Sequence, residues 1–303
     1  MRILSLLPSA TEIVYALGLG DRLVGVTHEC VFPPEARAKP VVTVPRFASE
    51  ALDSRSIDEA VRQARPGWSV YEIREDLLRA LQPDLILTQD LCDVCAVSYD
   101  EVRRAARVLN SAATIVSLEP RTLDEMLETI RLVGDLTGRQ RAAADLVARL
   151  RERIEGVAGH AQRLGQRPGV ACVEWFDPPY VAGHWVPEMV ELAGGIDLLN
   201  RPGQPSRRVP WDEVATAAPE VLVLLPCGLS LERARAELPA LRAQVGWAAL
   251  PAVRDGRVYL VHGPAYFNGA GPRLVDGLEI LAHLLHPEAF PAPSLVDAFL
   301  RVV

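Results

Sequence analysis

Short apolar runs alternate with longer amphipathic stretches along all 303 residues. Arg2–Leu7, Leu23–Thr27, Leu85–Thr88 and Thr114–Leu118 read as strands in the first half, and Val170–Glu174, Val221–Leu225 and Val258–Val261 in the second. Thr11–Leu17 reads as a helix stopped by Gly18, with Ser9 and Glu12 spaced as a capping box at its start. Asp100–Leu109 and Pro187–Leu192 carry the same helical spacing. Strand–helix alternation of this kind predicts an α/β fold with mostly parallel sheets.

The two halves echo each other. EIVYALGLGDRLVG from Glu12 matches EMVELAGGIDLLN from Glu188 as helix, glycine stop, acid, apolar run. LQPDLILTQDLC from Leu81 matches AAPEVLVLLPCG from Ala217 as helix end, Pro-acid, strand, cysteine. VLNSAATIVSLEP from Val108 matches VRDGRVYLVHGP from Val253. Three matches in one order predict two Rossmann-like lobes of the same topology. Between them, 139–164 has apolar residues at 143, 146, 147, 150, 154 and 157, the stripe of one long helix. A further helix precedes it, with Thr122 and Glu125 as its capping box and Gly138 as its stop. The expected organisation is a first α/β lobe over 1–138, a spine helix over 139–164 and a second α/β lobe over 165–303.

Net charge is −7, which argues against a broad nucleic-acid-binding face. No apolar run reaches the roughly 18 residues a bilayer span needs, so no membrane insertion is expected. Pro8 interrupts the apolar N-terminus, which reads as a strand entering a helix and not as a signal peptide. As written the chain reads as cytoplasmic. A chain whose signal segment had been removed would look the same and would work in the periplasm or another extracytoplasmic space. The five cysteines exclude a fully paired disulfide framework.

Ligands of parallel α/β sheets bind beyond the carboxyl ends of the strands. Those loops hold the unusual residues of this chain. The first lobe offers Pro8 and Ser9, then His28, Glu29 and Cys30, then Cys92 and Cys95 in LCDVCAVS. The second offers Glu174, Trp175, Asp177, Tyr180, His184 and Trp185, then Cys227, then Tyr266, Phe267 and Arg273. Two such rims facing each other would form one aromatic, partly polar ligand cleft between the lobes. For the aromatics, core packing is the alternative; for the histidines, a structural hydrogen bond; for the acids, loop capping. Cys92 and Cys95 lack the second ligand pair of a zinc site, although His28, Cys30 or His184 could complete one from other loops. They also precede the Ser98–Glu101 cap of the next helix, unlike a redox pair at a helix N-terminus. The usual nucleotide and hydrolase motifs are absent.

RILSLLPSATEIVYALGLGDRLVGVTHECVFPPEA, LQPDLILTQ, VPWDEVATAAPEVLVLLPCG and YFNGAGPRLVDGLEILAHLLHPE together cover nearly the whole chain. They resemble the cobalamin and iron-siderophore substrate-binding proteins of ABC importers, and most closely a cobalamin-type subgroup that often lacks a signal peptide. The resemblance implies two lobes on one spine helix and a cobalamin-like corrinoid held between them as ligand, with no cofactor required. It implies an ABC permease as partner if the chain is exported. One departure is Gly269, which stands where the family usually carries an arginine ahead of Pro272-Arg273. The family also docks its permease through an acid on each lobe; Asp100 or Glu101 matches on the first. The expected function is non-enzymatic corrinoid binding. The alternatives are a cytoplasmic enzyme or metal-binding protein using the same loops, and a ferric-siderophore or haem binder.

Overall fold

A computed structural model describes residues 1–46, 52–63, 71–89, 102, 105, 113–295 and 297–303. Contacts divide the chain into two compact units, Met1–Glu119 with Leu127–Val147, and Pro120–Met126 with Ala148–Val303.

In the first unit, β1 (Ile3–Ser5), α1 (Pro8–Ala16), β2 (Leu23–Gly25), α2 (Ser54–Gln63), α3 (Glu75–Leu81), β5 (Leu85–Thr88) and β6 (Thr114–Ser117) form a parallel sheet with its helices, in the strand order β2-β1-β5-β6. Residues of β1 and β5 are buried on both faces, as strands covered by helices on either side must be. A separate two-stranded antiparallel sheet pairs β3 (Thr43–Pro45) with β4 (Tyr71–Ile73). Its Ile73, with Val42, packs into a core with Leu4, Leu6, Leu78 and Ile86.

The second unit repeats this plan. Strand β7 (Gly169–Phe176) is flanked in parallel by β9 (Ile196–Asp197) and β11 (Val221–Leu224), and β11 by β12 (Val258–Val261). The order β9-β7-β11-β12 reproduces β2-β1-β5-β6. Antiparallel strands are added at the edges: β8 (Pro179–Val181) and β10 (Arg207–Arg208) beyond β7, and β13 (Phe299–Arg301) beyond β12. The echo between the Leu81 and Ala217 segments extends to the backbone. Helix α3 and its counterpart α7 (Trp211–Ala217) both end on a left-handed residue, Gln82 (φ 39°) and Ala218 (φ 47°), each followed by proline and then a strand.

Helix α4 (Leu123–Thr137) leads through Gly138 (φ 70°) into α5 (Gln140–Ala161), 22 residues and about 33 Å long. Leu146, Val147, Leu150 and Val157 form its buried stripe, and it continues through Gly156. The division between the units falls within this helix, at Val147–Ala148, and also within α4. The first turn of α4 belongs to the second unit, where the Glu188 carboxylate accepts the Leu123 N–H at 2.7 Å. Thr122 Oγ1 accepts the Glu125 N–H, as its capping box predicted, while Glu125 accepts from Arg121.

The lower part of α5 is held by a charge clamp. Arg153 donates to both oxygens of Glu279 at 2.8 Å and to Asp276 at 2.6 Å, both on the closing helix α11 (Leu274–Leu285). All three side chains are only part-exposed, at 37, 34 and 22%. Arg153→Met would leave two neighbouring carboxylates unpaired. It is expected to lower stability by about 2 kcal/mol, between the exposed and buried limits. Urea denaturation at low and high salt checks this, with the loss smaller in high salt.

One expectation at the N-terminus is overturned. The helix begins at Pro8, not Thr11, with Leu7 as N-cap (φ −153°) and no side-chain cap. Proline at the first helical position has no N–H to satisfy and arrives with a helical φ, so Ser9 and Glu12 do not form a capping box. Among the described residues, no helix is long and apolar enough to cross a membrane.

Candidate functional site

In the first unit, the loops at the carboxyl ends of β1 and β2 are tied together from beneath. Ser5 Oγ donates to Leu7 O at 2.9 Å and accepts from Thr11 Oγ1 at 2.9 Å. Thr11 Oγ1 also lies 3.1 Å from Cys30 Sγ, which sits 3.2 Å from Thr27 Oγ1. Cys30 is buried, and burial pushes its thiol up against the opposing pull of these hydroxyls. A protonated, enclosed thiol supports the loop from below and is a poor nucleophile or metal ligand. Pro8 and Ser9 form the first turn of α1 beside it, Ser9 almost fully buried.

His28 stands above this network. Its Nδ1 is 2.9 Å from Thr43 Oγ1, and its Nε2 is 3.5 Å from Glu29. Its ring meets Tyr71 edge-on at 4.7 Å. Burial lowers its pKa and Glu29 opposes that shift. The β3–β4 pair supplies both Thr43 and Tyr71. Sequence reasoning missed these two partners because three-residue strands carry too little periodicity to read. Cys92, Cys95, Asp100 and Glu101 lie outside the described residues.

In the second unit, β7 runs two residues past its expected end and turns back through Asp177-Pro178 into β8. Trp175 is therefore a strand residue and not a loop residue, and it sits directly across from Tyr180. The loop after β11 joins them: Leu225 N–H donates to Val173 O and Cys227 N–H to Glu174 O, each at 2.9 Å. Glu174 and Cys227 are thus neighbours.

His184 and Trp185 precede α6 (Val186–Leu192). Their rings lie 5.6 Å apart, and Trp185 Nε1 donates to Phe267 O at 2.7 Å. Both Trp185 and Phe267 are buried in the core, at 7 and 1% exposure, so their rings build the rim from within. Tyr266 closes α10 (Gly263–Tyr266), with the Arg273 guanidinium 5.7 Å from its ring centre. His262 caps that helix by accepting the Ala265 N–H at 3.2 Å. Burial and the charge of Arg121 both lower the His184 pKa. Arg121 entered no sequence expectation, since it reaches this rim only through the detached first turn of α4.

Among the described residues, no group of three or more His, Cys, Asp or Glu could hold a metal ion. An open pocket of about 450 Å³ lies between α7 and the Gln244–Gly246 turn. That turn and the end of α7 precede β12 and β11, so the pocket is at the amino ends of the strands, away from the rim.

A family model described as "Periplasmic binding protein" matches residues 3–265. The vitamin B12-binding protein of Vibrio cholerae is 26% identical over 282 residues, covering 92% of this chain and 86% of that one. An uncharacterized ABC transporter substrate-binding lipoprotein of Bacillus subtilis is 23% identical over 292 residues, 95% of this chain and 81% of that one. Among solved structures, a periplasmic heme binding protein from Pseudomonas aeruginosa has a TM-score of 0.75 at 23% identity, covering 100% and 99% of the two chains. Fold and matches define a two-lobed substrate-binding protein of ABC importer type. The chain belongs to the periplasmic binding protein family.

Proposed function

We propose that this protein binds a cobalamin-like corrinoid through its strand-end loops and hands it to an ABC permease outside the cytoplasmic membrane. The observation that carries the reading is the match to the Vibrio cholerae vitamin B12-binding protein along 92% of the chain. The rim chemistry agrees with it. A corrin presents broad apolar faces fringed with neutral amides. Trp175 and Tyr180, half-buried and paired across two strands, offer flat apolar surface for such a face. Covering it contributes roughly 25 cal/mol per Å² before the entropy of association is subtracted. Glu29, Glu174 and Asp177 carry carboxylate oxygens that suit the N–H groups of the amide fringe.

A second reading, haem, is favoured by the likeness to the Pseudomonas aeruginosa heme binding protein. Haem brings two propionates that call for cationic partners. Titration of the purified protein with cobalamin, cobinamide and haemin, followed by tryptophan quenching and retention on gel filtration, separates the two. We expect a corrinoid to bind at least about tenfold tighter than haemin. Retention of haemin alone would replace the corrinoid reading, and retention of neither would remove both.

A further inference from the structure

Three histidines stand at strand ends, and the structure treats them differently. Both ring nitrogens of His28 are engaged, by Thr43 and Glu29. His262 spends Nδ1 on a helix cap. His184 is half-buried and has no hydrogen-bond partner for either ring nitrogen among the described residues.

The same residue is unusually well fixed. Its backbone is left-handed, φ 54°, a region sparsely used by residues with a side chain and concentrated at functional sites. Two backbone hydrogen bonds pin it there: His184 N–H to Gln204 O at 2.5 Å, and Gly203 N–H to His184 O at 2.9 Å. Asn200 braces the facing loop by donating to both Ala182 O and Pro205 O. The ring lies on Trp185, itself locked to Phe267. A held imidazole with its nitrogens left open is built to meet something other than protein. Its lowered pKa leaves it neutral at pH 7, with a lone pair to give.

We propose that His184 coordinates the cobalt of the bound corrinoid through an imidazole nitrogen, an inference that rests on the corrinoid reading above. The step is a ligand exchange. An axial water leaves cobalt, the imidazole lone pair forms the new Co–N bond, and no electron is transferred. Cobinamide in its aquo form is the suitable probe because it lacks the nucleotide base that would occupy one axial position.

The experiment compares the absorbance spectra of aquocobinamide free, bound to wild type and bound to His184→Gly. Glycine accepts φ 54°, so the loop keeps its path; His184→Asn, which also tolerates that region, is the second variant should the first unfold. Wild type is expected to shift the cobinamide bands to those of an imidazole adduct. The variant is expected to retain cobinamide at least about tenfold more weakly, with unshifted bands. Free imidazole should then restore the shift. Bound but unshifted cobinamide in wild type, or the same shift in the variant, overturns the coordination while leaving the corrinoid reading standing. Wild type that retains no cobinamide and no cobalamin overturns both.

Discussion

Gly183→Ala is expected to destabilise the protein by about 3 kcal/mol, the upper end for overpacking a close contact. A Cβ at this position would meet Ser206 N at 2.3 Å, Pro205 C at 2.4 Å and Gln204 O at 2.5 Å. All three are backbone atoms, so no flexible side chain can swing aside. The strands of chain on either side are tied by the Gln204–His184 and Gly203–His184 hydrogen bonds, and by Asn200 to Ala182 and Pro205. Admitting a methyl group means parting them, which also releases His184 from its left-handed backbone. The substitution should therefore lower both the urea midpoint and the affinity for any ligand that touches His184. Gly156→Ala gives the contrast. It lies in the interior of α5 with nothing within 4 Å of the added atom. There the same change is expected to raise stability by up to about 1 kcal/mol through helix propensity. Equal effects at the two sites would show that the contact at Gly183 carries no strain.

The large features of the fold were legible because they rest on local patterns. Pro-acid pairs before Leu85 and Val221 announce strands that open after a helix end, and both strands form where expected. The apolar spacing from Ala143 to Val157 reads directly as one face of α5. The ordered echo between halves becomes a shared strand order because equal strings of helix, stop and strand have one right-handed way to pack. What escaped depends on contacts between distant residues. The clamp of Arg153 on Asp276 and Glu279 spans more than 120 positions. Thr43 and Tyr71 reach His28 from a pair of three-residue strands. Nothing local marks His184 as left-handed, since its φ is set by hydrogen bonds to residues 203 and 204. At the N-terminus two local signals competed, and the fixed φ of Pro8 prevailed over the hydroxyl of Ser9.

The same dependence on tertiary contacts produces the second large effect, at Asp197. It lies at the end of β9, where Oδ1 accepts the N–H groups of Leu199 and Asn200, each at 2.9 Å. The residue as a whole is part-exposed, but Oδ2 is shut off from solvent and has no hydrogen-bond partner. Burial pushes the carboxyl up from 3.8 to about 6, with Glu191 adding to the shift and the two N–H bonds and Arg207 opposing it. Because the folded state holds this proton more tightly than the unfolded chain, the sign is the reverse of an ion-paired aspartate. Well below pH 3.8 both states are protonated and there is no penalty. As pH rises through the window between 3.8 and about 6, the unfolded chain ionises first and folding loses stability. Above that window the full penalty stands, at most about 3 kcal/mol for a shift of this size. Asp197→Asn keeps an oxygen for the two N–H groups and removes the titration. An amide NH₂ in the sealed position has its own unmet donors, which lowers the variant by a pH-independent amount. The absolute stabilities therefore decide little, and the difference between them decides the matter. Urea denaturation of both proteins from pH 4 to pH 8 should show the variant gaining on wild type by up to about 2.5 kcal/mol across the range, most of it before pH 7. A difference that stays flat with pH would mean that Asp197 is ionised at no cost and that water reaches Oδ2.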